Sequence, residues 1–130
     1  IEGGNVKYLV TTNLGDDHLE AEAYILATGS YLCEGLLSDP NGFKEPVFGL
    51  DVKYPANRDE WYSENFFASQ PYMSYGVEVN NEFHPIKDGM PVNNLYAAGS
   101  ILGHCNSLEE DSGAGCAMLT GLYTADLATK

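Results

Sequence analysis

An α/β chain built around a nucleotide-type core is the fold this sequence predicts, with α+β the better description if the chain stands alone. Three observations predict it. Ala23-Tyr24-Ile25-Leu26-Ala27-Thr28-Gly29 reads as a short apolar strand that leaves through a glycine. Asn94-Leu95-Tyr96-Ala97-Ala98-Gly99-Ser100 has the same form later in the chain. Ser112-Gly113-Ala114-Gly115-Cys116 then opens a helical run whose first turn is nearly bare of side chains, so backbone N–H groups face whatever lies against it.

The elements follow in order. Val6 to Thr12 is β-prone, Asn13-Leu14-Gly15-Asp16-Asp17 is a turn, and Leu19 to Leu26 returns as the second strand of a hairpin that runs into the interior. Ser30 to Ser38 forms a short helix or a loop that packs Tyr31, Leu32, Leu36 and Leu37 inward. Asp39-Pro40-Asn41-Gly42 is a turn, and Phe43 to Pro55 is extended because Pro46 and Pro55 break any helix. Asn57 and Glu60 have capping-box spacing for a helix over Arg58 to Ala68, whose aromatics Trp61, Tyr62, Phe66 and Phe67 need a surface to cover. Tyr75 to Asn80 and Glu82 to Ile86 form a hairpin, and Lys87-Asp88-Gly89 is a further turn. The last helix spans about 113–127, with Leu119, Leu122, Tyr123 and Leu127 marking its buried face. Residues 1–34 and 72–130 therefore read as one α/β unit, with 35–71 an inserted, aromatic-rich, cap-like or interface lobe.

Composition narrows the function classes. The chain has 130 residues and 44% hydrophobic content, enough for one domain with a core. A net charge of −13, from 19 acidic against six basic residues, would repel nucleic acid and anionic lipid. No apolar run approaches the roughly 18 residues needed to cross a bilayer. The opening Ile1-Glu2-Gly3-Gly4-Asn5 lacks Met and enters a strand almost at once, so the chain reads as a piece of a longer polypeptide. Cys33, Cys105 and Cys116 are odd in number with no Cys-x-x-Cys pair, which points away from a disulfide scaffold and toward a reducing, cytoplasmic setting.

The chemistry concentrates in the final glycine loop. Gly99 permits close backbone approach, Ser112 offers an N-cap oxygen, and Gly113, Ala114 and Gly115 keep the helix entrance slim. Such an entrance favours developing negative charge, as on the N1–C2=O edge of a reduced flavin. Glu109, Glu110 and Asp111 lie just upstream and disfavour a diphosphate there. The same small residues equally serve a helix that simply crosses a strand closely, and both readings stand. No complete Gly-x-Gly-x-x-Gly is present, so a dinucleotide pyrophosphate has no ordinary cradle in this sequence.

The histidines and cysteines are weaker signals. His104-Cys105 lies inside the loop, where His104 is the candidate proton carrier, against a reading as a solvated loop residue. His84 before Pro85 is structural or substrate-facing, and His18 is solvated. These residues make no metal set, since zinc sites usually carry a close pair of ligands two to four apart. Cys116 at the helix start is either a thiol with a lowered pKa or a small core residue, and Cys33 is a small core residue.

A resemblance sharpens the picture. Ala23 to Gly29 resembles the "ATG" strand of two-dinucleotide-binding flavoproteins, and Asn94 to Gly99 resembles their late strand that delivers the chain to the flavin. Glu45-Pro46-Val47-Phe48-Gly49-Leu50, Gly76-Val77-Glu78-Val79, Ala97-Ala98-Gly99-Ser100-Ile101-Leu102-Gly103 and Glu110-Asp111-Ser112-Gly113-Ala114-Gly115-Cys116-Ala117 follow in turn. Their order resembles the C-terminal third of the B-subunit family of anaerobic glycerol-3-phosphate dehydrogenase. That family lies among the FAD-dependent, fumarate-reductase-like flavoproteins.

The resemblance implies a Rossmann-like FAD/NAD(P)-binding fold, FAD or FMN in the intact polypeptide, and Thr28, Gly29, Gly99, Ser100, Gly113, Ala114, Gly115 and Cys116 near the cofactor. It also implies a catalytic partner, an iron–sulfur partner that anchors the complex at the cytoplasmic membrane face, and electrons passing from glycerol 3-phosphate through flavin to quinone. Ser100 stands where many relatives place an acid for the ribityl hydroxyls, and no Arg lies between Ser100 and Cys116, unlike fumarate reductases. The alternative is a non-catalytic assembly subunit that keeps the flavoprotein fold. The isolated chain is expected to be inactive, to retain no cofactor, and to self-associate through surface that its parent polypeptide would cover.

Overall fold

The computed structural model describes residues 1–106 and 111–130. In chain order it contains β1 (Leu9–Val10), β2 (His18–Leu19), β3 (Tyr24–Leu26), β4 (Leu37–Asp39), β5 (Gly42–Lys44), β6 (Val52–Lys53), β7 (Gly76–Val77), β8 (Ile86–Lys87), β9 (Met90–Pro91), β10 (Leu95–Ala97) and α1 (Gly113–Ala128), with short 3-10 turns between them. It is an α/β fold of parallel and antiparallel strand pairs with one long helix among the described residues.

The first hairpin is shorter than expected. β1 and β2 pair antiparallel through Leu9–Leu19 and Val10–His18, but the second strand breaks before it turns inward. Tyr24 holds the break: its hydroxyl accepts the Ala21 N–H at 2.9 Å and lies 3.2 Å from the Leu19 carbonyl. Beyond it β3 pairs with β10 instead, in parallel, with Leu95 opposite Tyr24 and Ala97 opposite Leu26. One face of this pair is the core: Tyr24, Leu26, Leu95 and Ala97 are all buried. The Asn94 side chain secures the strand's start by accepting from Val6 N–H at 2.7 Å and donating to the Val6 carbonyl at 2.9 Å.

On the other side of β10, the Ala97 N–H donates to the Phe83 carbonyl at 3.0 Å. His84 Nδ1 lies 2.9 Å from the Leu95 carbonyl, which ties its ring to β10. The expected hairpin around 80–84 forms, with the Asn80 N–H on the His84 carbonyl at 3.0 Å. The Asp88-Gly89 turn joins β8 to β9, both residues taking positive φ (51° and 77°), and Asp51 accepts from their two N–H groups at 3.1 and 2.9 Å.

Three expectations in the middle of the chain change. The Arg58–Ala68 helix reduces to a 3-10 turn at Arg58–Glu60, capped by Asn57 accepting from Asp59 N–H. Side chains after it compete for the backbone: Asn65 accepts from Phe67 N–H at 3.1 Å and Gln70 from Ser63 N–H at 2.9 Å, which favours turns over a helical ladder. Leu36 is buried as expected, but Leu32 is exposed, and Cys33 is exposed rather than a core residue. Its short 3-10 turn lifts both away from the core, leaving Leu36 to fill it.

The aromatic lobe has a core of its own. Phe43 is its hub, with edge-on contacts to Trp61 (4.8 Å), Tyr54 (5.0 Å), Tyr75 (5.1 Å) and Tyr31 (5.5 Å). Trp61 donates its indole N–H to the Pro55 carbonyl at 2.7 Å, whereas Phe66 and Phe67 stand outside the cluster in solvent. Burial, and next the neighbouring Tyr75 and Tyr72, push the Tyr31 phenol well above its ordinary pKa. At the lobe's base Glu45 is 2% exposed and accepts from the N–H groups of Val47 (2.8 Å) and Phe48 (2.7 Å).

Helix α1 forms where expected but turns the other way. Leu119 and Leu122 are 71% and 73% exposed, whereas Thr124 is fully buried. The helix faces the sheet through Thr120, which accepts the Gly99 N–H, and the buried Thr124 one turn on. Ser112 makes no side-chain cap bond; its carbonyl instead accepts the Cys116 N–H at 2.8 Å.

Candidate functional site

Because β3 and β10 run parallel, the residues that leave them emerge at one edge. The Ala98 N–H still donates to the Leu26 carbonyl at 3.0 Å, so the pair holds register up to the glycines. Gly29 (φ 83°) and Gly99 (φ 77°) then take backbone conformations that favour glycine. A side chain at Gly29 would come within 2.8 Å of the Cys33 Cβ and 3.7 Å of the Ser100 hydroxyl. Thr28, Gly29, Gly99 and Ser100 are thus brought together, at the end of a parallel pair where α/β folds commonly hold ligands.

The entrance of α1 is tied to the same edge. The Gly99 N–H donates to Thr120 Oγ1 at 2.9 Å, and Thr120 Oγ1 donates to the Cys116 carbonyl at 2.6 Å. The helical ladder begins with the Cys116 N–H, so those of Gly113, Ala114 and Gly115 are not consumed by it. A Cβ placed on Gly115 would meet nothing within 4 Å, so open space adjoins this first turn. The edge therefore offers backbone donors, the positive end of a helix, and the Thr28 and Ser100 hydroxyls to an electron-rich planar group. Thr28 also lines a shallow apolar cleft of about 240 Å³ with Leu9, Ile25, Val47 and Phe48.

His104 lies elsewhere. After the Gly99–Ile101 turn the chain crosses to β7, where the Gly103 N–H donates to the Val77 carbonyl and the His104 N–H to the Ser74 carbonyl at 2.7 Å. His104 (φ 65°) is exposed and lines an open cleft of about 520 Å³ with Lys53, Tyr54, Ser74 and Glu78. Lys53 Nζ and Glu78 Oε1 stand 3.8 Å apart at this cleft. Among its described lining residues are none of the other candidate site residues.

Cys116 is neither the low-pKa thiol nor the small core residue expected, and its bond runs against the reading of a chain without disulfides. It is disulfide-bonded to Cys105, with the two Cα atoms 7.1 Å apart, and only Cys33 remains a free cysteine. Local spacing rules miss the pair because its members are 11 residues apart in sequence. Glu109 and Glu110, expected to disfavour a diphosphate at this entrance, lie outside the described residues. Sequence reasoning also missed Thr120 and Glu45. The signal for Thr120 was available: Thr120 and Thr124, four apart in an otherwise apolar helix, mark a hydroxyl-bearing face.

Two strand-to-glycine exits and a helix entrance thus meet at one edge of an α/β fold. The chain belongs to the FAD binding domain family, whose profile matches residues 2–116. It is homologous to the B-subunit of anaerobic glycerol-3-phosphate dehydrogenase from several bacteria. It is 41% identical to that of Aliivibrio fischeri over 91% of this chain and 26% of the relative. Identity is 41% to that of Vibrio vulnificus over 98% of this chain and 30% of the relative. Identity is 33% to that of Yersinia enterocolitica over 95% and 29% respectively. The chain thus spans 26% to 30% of the length of these relatives. No solved structure matches it. No helix among the described residues is long and apolar enough to cross a membrane.

Proposed function

We propose that this chain is the C-terminal part of a flavin-dependent glycerol-3-phosphate dehydrogenase subunit and supplies the flavin-ring end of its cofactor site. The observation that carries this reading is the convergence of Thr28, Gly29, Gly99 and Ser100 with the first turn of α1, locked by the Gly99–Thr120 hydrogen bond. The donor set suits FAD at its ring end: the N–H groups of Gly113, Ala114 and Gly115 are not consumed by the helix, Gly115 adjoins open space, and the Ser100 and Thr28 hydroxyls lie on the strand exits. The diphosphate end would need residues beyond this chain, since it has no glycine-rich cradle. Bound flavin supplies two-electron redox chemistry. The chain's own contribution is to orient the ring edge and to stabilise negative charge there through the helix entrance.

Under this reading residues 1–34 and 72–130 belong to the flavin-binding domain, and 35–71 form a cap or partner-facing lobe. The exposed Phe66 and Phe67 suit the latter role. Catalytic and iron–sulfur subunits would be the partners, at the cytoplasmic face of the membrane. Met118, Leu119 and Leu122, all exposed, would be covered by the rest of the longer polypeptide, and the isolated chain would self-associate through them. His104 sits in its own cleft, so a proton-transfer role there would require substrate to enter the cleft beside Lys53, Tyr54 and Glu78.

A second reading, a non-catalytic assembly subunit, is favoured by Ser100, which offers the ribityl chain a hydroxyl where the flavoprotein resemblance leads one to expect an acid. The visible spectrum of the full-length protein, followed during anaerobic titration with glycerol 3-phosphate, separates them. Flavin bands that bleach support the dehydrogenase. Flavin that never bleaches, with the partner subunits present, favours the assembly role, and failure to take up flavin on reconstitution rejects the cofactor site.

A further inference from the structure

The Cys105–Cys116 bond joins two segments that are otherwise anchored separately. Cys105 follows Gly103 and His104, whose N–H groups are held by the Val77 and Ser74 carbonyls. Cys116 sits in the first turn of α1, and its carbonyl is held by Thr120. Both cysteines are partly exposed, so a small reductant can reach the pair. The two sulfurs differ chemically: only Cys116 lies where the positive end of a helix stabilises a thiolate.

We propose that Cys105–Cys116 is a thiol–disulfide exchange site for dithiol reductants, and that its reduction releases the α1 entrance from the Gly103–Cys105 segment. A reductant thiolate attacks Cys105 Sγ, the Cys105–Cys116 bond breaks, and Cys116 Sγ leaves with the electron pair as the thiolate. The second reductant thiol then attacks its own sulfur in the mixed disulfide and closes a ring disulfide. Cys105 is released, and the reductant's two thiol protons finish on the two cysteines. The dithiol is oxidised by two electrons and the protein disulfide reduced by two. The assignment of the leaving sulfur follows from the helix: a better-stabilised thiolate leaves faster.

A consequence for cofactor binding rests on the proposed flavin reading, because the N–H groups of Gly113, Ala114 and Gly115, just before Cys116, are the donors assigned to the ring edge. Opening the bond would loosen those donors and weaken flavin retention in the full-length protein.

The test counts thiols in air-oxidised protein before and after dithiothreitol, with alkylation and mass mapping. One reactive thiol before (Cys33) and three after supports the proposal; three before overturns it. Acid-quenched exchange should trap the mixed disulfide on Cys105, and a mixed disulfide on Cys116 overturns the assigned leaving group. Limited proteolysis between residues 105 and 116 should quicken about tenfold on reduction, as for a one-decade shift in local opening. A Cys105→Ser protein should show the fast rate in both states, and equal rates in oxidised and reduced wild type overturn the tethering role. Absence of flavin in either redox state would reject the proposed function, while the thiol count and cleavage rates still decide the exchange site.

Discussion

The Gly99 backbone N–H donates to the Thr120 side-chain hydroxyl at 2.9 Å, joining the exit of β10 to the middle of α1. Thr120 passes the contact on to the Cys116 carbonyl. One hydroxyl therefore sets the distance between the glycine exit and the helix entrance. Thr120→Val keeps the shape and leaves the Gly99 N–H without its acceptor, so it should cost about 1–3 kcal/mol. Thr120→Ser should recover most of that. Urea unfolding of the two variants checks the stability, and flavin retention in the full-length protein should fall with the Val variant alone.

Gly115 and Gly76 predict opposite outcomes for the same substitution. At Gly76 a Cβ would run into the backbone of Ile101, Leu102 and Gly103, so Gly76→Ala must push β7 away from that segment. The expected loss is about 1–3 kcal/mol by overpacking. Gly115 meets nothing within 4 Å and lies in the helix. Gly115→Ala should therefore stabilise the fold by about 0.5–1 kcal/mol. If the flavin edge rests on this turn, the same variant should weaken flavin binding, so stability rising while flavin affinity stays unchanged would count against the site.

Glu45 is buried and accepts from the Val47 and Phe48 N–H groups, with Leu50 N–H more distant at 3.4 Å. Glu45→Ala strands these donors in the core and should cost about 2–4 kcal/mol, several times the effect of an exposed acid such as Glu20→Ala. Chemical denaturation of both variants measures the difference.

Tyr31 carries a buried hydroxyl with no hydrogen-bond partner among the described residues, and burial raises its pKa. A raised folded-state pKa means that the folded chain holds the phenolic proton more tightly than the unfolded chain. The associated stability is fully present below the unfolded value of about 10 and is lost as pH climbs above it. Tyr31→Phe should remove that alkaline loss and should not destabilise the protein at pH 7, because the phenyl keeps the contacts to Phe43 and Tyr72. Thermal melts at pH 7 and across pH 9–11 test both statements.

Much of the chain's plan was legible locally. The apolar runs at Tyr24–Leu26 and Leu95–Ala97, the glycines after them, the turn residues Asp39 to Gly42 and Lys87 to Gly89, and the span of α1 all follow from side-chain pattern and turn chemistry. Such features depend on neighbours a few residues away, so sequence alone determined them. It also determined the family, since the order of these motifs along the chain is itself the signature.

Only the tertiary structure decided which face of α1 is buried, that Tyr24 interrupts the second strand, that Phe43 is the hub of the aromatic lobe, and that Cys105 bonds Cys116. Hydrophobic periodicity places Leu119 and Leu122 inward, yet the face turned to the sheet carries Thr120, bonded to the Gly99 N–H, and the buried Thr124. His104 and the Gly99 edge likewise adjoin in sequence but part in space, because the chain crosses to β7 between them. These outcomes depend on separations between elements distant in sequence, where steric fit and hydrogen-bond satisfaction override local preference.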